Sequence, residues 1–572
     1  MATHTTTTAR PEQAPPGPDR NATRYLCAGA EVDADFADAV IHEVLEQRYR
    51  AIAPSWGLQL VPVVGHALAG RRRRNLRNAA LALIALVNLL LDPVGTVLMA
   101  ITWLWIRGVY RVTRQVFPRS HVRYAVLVAT ASVLFLLPLL VLVALVLYGV
   151  LTALSPLTAE TSLALGPLGP FALALARRLA VVVLLPSLLA TWAVLLAEQL
   201  AERSLLLRLL GRGRQPALPP HLHYGPGVLE RFQAIQHAEQ QSNVTVFSGY
   251  SPFLGAGRPV HRWSFTLDLA RRATAHADAQ VQSARHAAAD GQAEQAEPAR
   301  LTVSELHRRV AERLTRLAGS GGPDGRHLQG LELGERLFVT GTSVARDARF
   351  LPRPDRPPVS WVPPAVVAEL REHPTGSGRH YTCVRVESWG REVALSVLLH
   401  LAIQGATLYV EETACVLLPI RAHYHLVDRL TRRLLPGELG HLLWLTAKDI
   451  PASLLRAPVA LLGAWRTVRA LGRGDAVVRA MLDEGTPIDY GARMSVRERA
   501  ADPDWGNDFQ DLDVNRQLQV IELHLLEAIL DLLAERGVDI STFRRDQLPA
   551  IINAMVVKAG TITGGAFAKA SG

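Results

Sequence analysis

The feature that most constrains this chain is a run of 30 residues, Ala125–Leu154, without a charged side chain. A helix rises about 1.5 Å per residue, so about 20 apolar residues cross the hydrocarbon core of a bilayer. A second apolar segment, Leu179–Ala197, is long enough to return across it. The pattern predicts a membrane protein with transmembrane helices at residues 125–154 and 179–197.

An earlier apolar block, Ala79–Ile106, is interrupted at its centre by Asp92-Pro93-Val94-Gly95. It is either one kinked transmembrane helix or a pair of short segments that form a re-entrant hairpin with Asp92-Pro93 at the tip. Arginines mark the cytoplasmic side of a membrane. Five occur in Arg71–Arg77, five in Arg107–Tyr124, four in Leu200–Arg214 and none in Ser155–Pro170. This distribution favours the hairpin, or two short helices, over a single crossing, and it predicts an inner-membrane protein with both termini in the cytoplasm.

Charge and cysteine content restrict the partners. The formal net charge is +10, and beside a bilayer such an excess indicates attraction to an anionic inner leaflet. No arginine-rich helix is interleaved with aromatic residues, so we expect no nucleic-acid partner. Cys27, Cys383 and Cys415 are too widely spaced for a CxxC metal knuckle or a disulfide framework. We therefore expect reduced thiols, no cofactor and no metal.

The length of 572 residues allows several domains, and composition divides the chain into successive segments. They are a disordered tail (1–22), an N-terminal cytoplasmic helical region with a basic anchor (23–78), a membrane domain (79–199), a linker (200–226), a cytoplasmic α+β domain (227–430), an amphipathic helical region (431–500), a C-terminal helical module (501–549) and a glycine-rich tail (550–572). The predicted fold class is a membrane α-helical bundle plus a cytoplasmic α+β domain with a mostly antiparallel sheet, followed by C-terminal helices.

Helical periodicity is clearest in three segments. Thr302–Glu305 form a capping box that opens the first. The second, Ala452–Leu471, places Val459, Leu462 and Trp465 on one side, and it either lies flat on the inner leaflet or packs on the soluble domain. The third, Leu512–Arg536, is the most amphipathic and is followed by the helix-stopping Gly537.

A glycine-rich loop between two predicted strands is one candidate for binding chemistry. Gly249, Gly255 and Gly257 can present backbone N–H groups to an anion, with Arg258 beside them. The segment Gly249–Phe253 is not a nucleophile elbow, because phenylalanine replaces the last glycine and a proline follows the serine. A tight strand connection is the preferred interpretation, and anion binding is the alternative.

Two further candidates have structural alternatives. Asp92 lies within an apolar block, where a carboxylate indicates a proton or cation site. Followed by Pro93, it also suits the N-cap of a second half-helix, which we prefer. His423 and His425, with Asp428, have the spacing of two metal ligands on a strand, but no third ligand is fixed nearby. Hydrogen-bonded histidines are the preferred interpretation.

The C-terminal tail, Ala550–Gly572, has β-prone pairs punctuated by glycine and little charge. Such segments add to a sheet edge or stack with copies of themselves, whereas the alternative is a frayed terminus. The residues predicted to self-associate are Val556, Val557, Gly560, Ile562, Gly564 and Gly565.

Several blocks resemble a family of actinobacterial (Streptomyces-type) integral membrane proteins. They are Arg24–Cys27, Asn243–Phe253 and Leu408–Glu411. The stretch Phe509–Gly572 is similar to a separate C-terminal module whose glycine-rich tail resembles bacterial amyloid-type signalling motifs, with Ala554 in place of the usual glycine. The resemblance implies membrane attachment and self-association, and it supplies no catalytic residue.

The sequence favours a non-enzymatic, multi-pass inner-membrane protein. Its cytoplasmic domain would act as a scaffold, a sensor or a module that recruits an unknown protein partner or a second copy of the chain. The main alternative is a transporter or channel-like protein that uses Asp92 and the broken segment around it. A membrane enzyme built around the glycine-rich loop is a third hypothesis, with less support.

Deleting Ala550–Gly572 tests the role of the tail. If the tail mediates assembly, the deleted protein should run on a native gel as a smaller species than the full chain, because the stacking segments are gone. An unchanged complex size would rule out this role.

Overall fold

Six strands form in the part of the chain that the computed structural model describes, namely residues 22–55, 57–91, 185–270, 301–318, 328, 330–374, 378–431, 435–549 and 551. The strands are β1 (Val244–Phe247), β2 (Arg258–Asp268), β3 (Leu331–Thr340), β4 (Gly378–Ser388), β5 (Val393–Gln404) and β6 (Thr407–Leu417). The helices are α1 (Ala22–Val32), α2 (Ala34–Val40), α3 (Leu60–Leu91), α4 (Leu185–Leu210), α5 (Pro226–Gln240), α6 (Val303–Ala318), α7 (Pro364–Glu372), α8 (Leu426–Arg429), α9 (Pro436–Lys448), α10 (Ile450–Asp483), α11 (Val496–Arg499) and α12 (Asp508–Glu535).

The strands form one mixed sheet in the order β1-β3-β4-β5-β6-β2. β1 pairs with β3 in parallel, and the other four pairings are antiparallel. The first two strands along the chain, β1 and β2, therefore lie at opposite edges of the sheet. β2 pairs with β6 from Arg258 opposite Val416 to Asp268 opposite Thr407, with an irregularity between Pro259 and His261.

One face of the sheet carries the main core. Inward-pointing residues of β2, β4, β5 and β6 pack against α6 and α12. In β2 the burial alternates strictly from His261 to Asp268, with Trp263, Phe265 and Leu267 on the inner face. The opposite face has a smaller cluster that includes Phe253, Phe338 and Tyr381. The result is a layer of two helices on one side of the sheet.

The helices on this face agree with the sequence analysis. Thr302 Oγ1 accepts a hydrogen bond from the backbone N–H of Glu305 at 3.2 Å, which caps α6. Asn507 accepts from the N–H of Gln510 at 3.1 Å and caps α12. Gly537, with φ of +71°, follows the end of α12. The two predicted amphipathic helices are therefore confirmed, since each has a buried stripe, although α12 begins at Asp508 instead of at Leu512.

The chain divides into two compact units. The sheet unit comprises the described residues of Met1–Ala69, Leu209–Arg429 and Asp475–Gly572, and the helical unit comprises those of Gly70–Arg208 and Leu430–Gly474. Within the helical unit, Leu81, Leu195 and Ala457 are buried together. Arg77 and Glu198 form an ion pair at 2.9 Å there.

The predicted fold class, with its multi-pass membrane bundle, is wrong. Among the described residues, one helix is long and apolar enough to cross a membrane, and it is α3. The remainder consists of a mixed six-stranded sheet with helices. Hydropathy counts apolar side chains without showing what they contact, and some of these in the helical unit contact neighbouring helices instead of lipid.

The helix boundaries also differ from the predicted membrane segments. α3 begins at Leu60 and carries the arginines of residues 71–77 within it, and residues 79–91 form its last turns without a break. α4 runs from Leu185 to Leu210 and includes Glu198 and Glu202. Both helices therefore extend beyond the predicted apolar segments and include charged residues there. Residues 92–106, 125–154 and 179–184 of the predicted spans and hairpin lie outside the described residues.

We expect Gly491→Ala to destabilise the sheet unit. A Cβ at this position would lie 2.2 Å from the carbonyl carbon of Phe247, where the neighbouring Ala492 forms a bridge to β1. The backbone must shift, so the free energy of unfolding should fall by about 3 kcal/mol in a denaturant titration. Gly334→Ala in β3 is the control, because a Cβ there meets no atom of the described residues within 4 Å. Equal stability of the two variants would contradict this account of Gly491.

Candidate functional site

Three ionisable side chains converge inside the main core of the sheet unit. His261 comes from β2, Glu412 from β6 and Glu522 from α12. The β2–β6 register sets Trp263 opposite Glu412 and His261 opposite Ala414. Since strand residues two apart share a face, His261 and Glu412 point toward the helices. We name His261, Glu412 and Glu522 the buried triad.

The triad is sealed from solvent and incompletely hydrogen-bonded. Glu412 and Glu522 have no exposed surface, and His261 is 5% exposed. His261 Nδ1 lies 2.5 Å from Glu522 Oε1, which also accepts a hydrogen bond from Trp263 Nε1 at 3.3 Å. Among the described residues, neither carboxylate oxygen of Glu412 has a hydrogen-bond partner, and Glu522 Oε2 has none. Buried polar atoms in this state are costly, so the arrangement indicates a bound proton or ligand.

The electrostatics favour a protonated carboxyl in the absence of a cation. Burial raises the pKa of Glu412 well above its usual range, and the nearby Glu522 carboxylate raises it further. Arg262, the next residue after His261, opposes this shift. One ligand atom from each triad residue lies within 4.8 Å of the others. An imidazole and two carboxyl groups at this separation can share protons or coordinate one metal ion.

The glycine-rich loop holds an anion that belongs to the chain. The N–H groups of Gly255 and Gly257 donate to one oxygen of Glu498, at 2.7 and 2.9 Å. Burial raises the pKa of Glu498, and these two hydrogen bonds oppose the shift. Arg258 donates to the carbonyl of Pro503 at 3.4 Å. The loop therefore connects β1, β2 and the α11 region. Gly249, also with positive φ, begins the same connection.

The histidines near α8 have separate partners. His425 Nε2 lies 3.0 Å from Glu392 Oε1, and His423 Nε2 lies 3.8 Å from Asp33 Oδ2. Asp428 accepts hydrogen bonds from Arg24 and Tyr25, both at 2.6 Å. Each group has its own partner, which accords with the preferred interpretation of hydrogen-bonded histidines.

Other sequence candidates lie outside the described residues. These are Asp92 and Pro93 in the broken apolar block, and Val556, Val557, Gly560, Ile562, Gly564 and Gly565 in the tail. Their proposed roles remain predictions.

The helical unit has a second notable feature, a set of exposed apolar side chains. On α3, Leu83 and Leu90 are 61% and 74% exposed. On α10, Val459 and Trp465 are 69% and 51% exposed, and Leu462 is also exposed. We name the exposed large apolar residues of this unit the apolar set; its members on the helices are Leu76, Leu83, Leu86, Val87, Leu89, Leu90, Leu91, Leu189, Leu200, Leu439, Trp444, Leu445, Val459, Leu462 and Trp465.

Sequence analysis missed the buried triad, although a local pattern could have found it. Along β6, residues 408, 410, 412, 414 and 416 alternate inward, and Glu412 is the charged member of that apolar series. Glu522 lies between Ile521 and Leu525 on the buried side of α12. A charge on an otherwise apolar face indicates a buried polar site. Its partners could not be found because they depend on how distant elements pair.

Comparison with known proteins adds one match. A sequence model of the AbeC-like domain matches residues 262–568, which is more than half of the chain. The matched region begins one residue after His261 and contains Glu412 and Glu522. No curated protein and no solved structure matches the chain significantly.

We expect Glu412 to make the metal-free protein less stable as the pH rises. An exposed glutamate in the unfolded chain ionises near pH 4.3, about the model-peptide value, whereas folded Glu412 keeps its proton to higher pH. The folded state binds more protons above that point, so stability falls with rising pH. Glu412→Gln cannot ionise and should remove this part of the slope. The free energy of unfolding should be measured by urea titration in the presence of a chelator, at several pH values between about 5 and about 8.

The matched control is Glu411→Gln, on the other face of β6, where Glu411 lies 3.7 Å from Arg379. This variant should keep the wild-type dependence of the free energy of unfolding on pH. Because His261, Glu522 and Arg262 also face or influence Glu412, the comparison is between the two variants under identical conditions. If the free energy of unfolding depends on pH in the same way in both variants, this part of the slope does not come from Glu412.

Proposed function

This chain belongs to the AbeC-like domain family, and we propose that it is a scaffold that docks on the surface of an anionic bilayer. In this proposal, the apolar set of the helical unit enters the lipid surface and nearby arginines bind the headgroup phosphates. The sheet unit then presents a binding surface to a protein partner on the aqueous side. The proposal assigns no reaction to the protein.

The observation that carries the proposal is the polarity of α3. Arg71–Arg74 and Arg77 lie in its middle turns, and its last turns expose Leu83, Leu86, Leu90 and Leu91. Exposed apolar groups on this scale usually mark an interaction surface. Moving one leucine side chain out of water is worth about 1.5 to 3 kcal/mol when burial is complete. Several together supply the free energy for surface binding.

α9 and α10 support the same interpretation through paired aromatic and basic side chains. The Arg469 guanidinium lies 3.8 Å from the centroid of the exposed Trp465 ring, and Lys448 Nζ lies 5.4 Å from that of Trp444. Tryptophan with a neighbouring cation is suited to the headgroup region, where an apolar ring and a charge are both satisfied. The exposed Val459 and Leu462 belong to the same helix as Trp465.

Charge indicates which surface the helices would bind. The net charge of the chain is +10, and residues 70–91 contain five arginines and no acidic residue. Part of this charge is balanced inside the helical unit, since Arg73 pairs with Glu202 and Arg77 with Glu198. The excess still favours an anionic leaflet over a neutral one. We therefore propose the cytoplasmic face of the cell membrane as the location.

The three cysteines support an intracellular location of the sheet unit. Cys27, Cys383 and Cys415 are free thiols, and burial raises the pKa of each. Low reactivity of buried thiols accords with a structural role in a reducing compartment. The alternative transporter hypothesis depends on Asp92, which lies outside the described residues.

Vesicle binding tests the proposal. The full chain should sediment with vesicles of equal parts phosphatidylcholine and phosphatidylglycerol, and bind more weakly to phosphatidylcholine alone. The double variant Val459→Asp/Leu462→Asp should bind at least about tenfold more weakly, because it places two charges in the lipid surface. Raising the salt from about 0.1 to about 0.5 M should also weaken binding of the wild type.

The matched control is Phe509→Asp/Leu512→Asp. Both residues are exposed apolar side chains with the same spacing, but they lie on α12 in the sheet unit. This variant should bind like the wild type. If the wild type does not bind anionic vesicles, or if both double variants lose binding equally, the apolar set does not dock on lipid.

A further inference from the structure

We propose that the buried triad binds one divalent transition-metal cation, with His261, Glu412 and Glu522 as its protein ligands. The site goes beyond the proposed docking function, since it lies wholly within the sheet unit and is independent of lipid. A cation there would connect β2, β6 and α12, the three elements that supply the ligands.

The first support is the set of orphaned oxygen atoms. Within the part of the chain that the structure describes, both Glu412 oxygens and one Glu522 oxygen lack hydrogen-bond partners, and both side chains are fully buried. A buried carboxylate without a partner destabilises the fold unless it is neutralised or coordinated. The core around them is apolar and includes Phe265, Val410 and Leu525. A cation would satisfy these oxygens and the local negative charge together.

The second support is geometry. The three ligand atoms lie within 4.8 Å of one another. In a tetrahedral site with metal–ligand distances of about 2.1 Å, ligand atoms are about 3.4 Å apart. Rotations of glutamate side chains span the difference. The His261–Glu522 contact of 2.5 Å would lengthen, because the cation would lie between the two ligand atoms.

The ligand types indicate the class of metal. One imidazole and two carboxylates, without a thiolate, suit zinc, manganese or ferrous iron better than copper(I) or calcium. Two ionised carboxylates match a charge of two. The Trp263 N–H bond to Glu522, at 3.3 Å, would orient that ligand from outside the coordination sphere.

Imidazole and carboxylate groups bind metals in their deprotonated forms, so cation affinity should rise with pH until hydroxide competes for the metal. Arg262 lies on the opposite face of the sheet, where its Nε donates a hydrogen bond to Thr413 Oγ1 at 3.1 Å. The three ligands are sealed from solvent, so the cation would enter during folding or a local opening of α12.

The test is metal content and metal-dependent stability of the full chain. Protein purified from cells grown with added zinc should contain one zinc per chain by plasma mass spectrometry. After chelation under mildly denaturing conditions, refolding with zinc chloride should raise the thermal midpoint by at least about 3 °C over refolding with chelator. Manganese chloride and magnesium chloride are parallel probes, and magnesium should have the least effect.

Variants locate the site. Glu412→Gln and Glu522→Gln keep the size of each side chain and should lower zinc affinity at least about tenfold, with loss of the stability increment. Glu411→Gln, on the opposite face of β6, should retain both. Circular dichroism of the metal-free variants checks that they fold, and a folded Glu412→Gln protein without zinc supports the site.

Two results would overturn the proposal. In the first, the wild type carries no metal and its thermal midpoint is unmoved by zinc and manganese. In the second, zinc binds equally to the wild type and to both glutamine variants, which places it elsewhere on the chain. Either outcome would leave the triad as a proton-sharing group of the core.

Discussion

The pairing of β2 with β6 is the constraint on which the sheet unit depends. These strands are far apart in sequence, yet they form an antiparallel ladder from Arg258 to Asp268. The ladder completes the inner face on which α6 and α12 pack. It also requires a glycine at the start of β2, since a Cβ at Gly257 would lie 2.2 Å from the carbonyl oxygen of Val416. Loss of this pairing would remove both the core face and the buried triad.

The buried triad places polar groups that need partners within that apolar face. Two carboxyl groups and an imidazole occupy positions that hydrophobic side chains could fill. Buried charged groups of this type seldom add stability over well-packed apolar residues. Such groups make the packing more specific when a bound proton or cation satisfies their charges. A proton or a cation bound there would make the contact between α12 and the sheet depend on pH or on metal concentration, which a purely apolar core would not do.

The helical unit combines a small core and ion pairs with many exposed apolar side chains. Its ion pairs and small core, such as Arg77 with Glu198 and Leu81 with Leu195, hold described helices to one another. The same helices leave leucine, valine and tryptophan side chains exposed. The prediction of a multi-pass bundle was wrong because it counted apolar residues as lipid-facing without separating those that pack on neighbours. Exposure in the folded chain makes that separation, which is why surface docking rather than a bundle is proposed.

The sequence alone determined the local elements whose causes are local. Periodicity specified α6 and most of α12, Thr302 was recognisable as the cap of α6, and the glycines from Gly249 to Gly257 indicated a tight connection between two strands. The cap of α12 at Asn507 and the positive φ of these glycines are seen only in the structure. Only the tertiary structure decided which distant groups meet. It put Glu498 into the N–H groups of the loop and brought Glu522 to His261. Strand order and helix docking are set by the sum of many weak contacts across the fold, and no short stretch of sequence contains that sum.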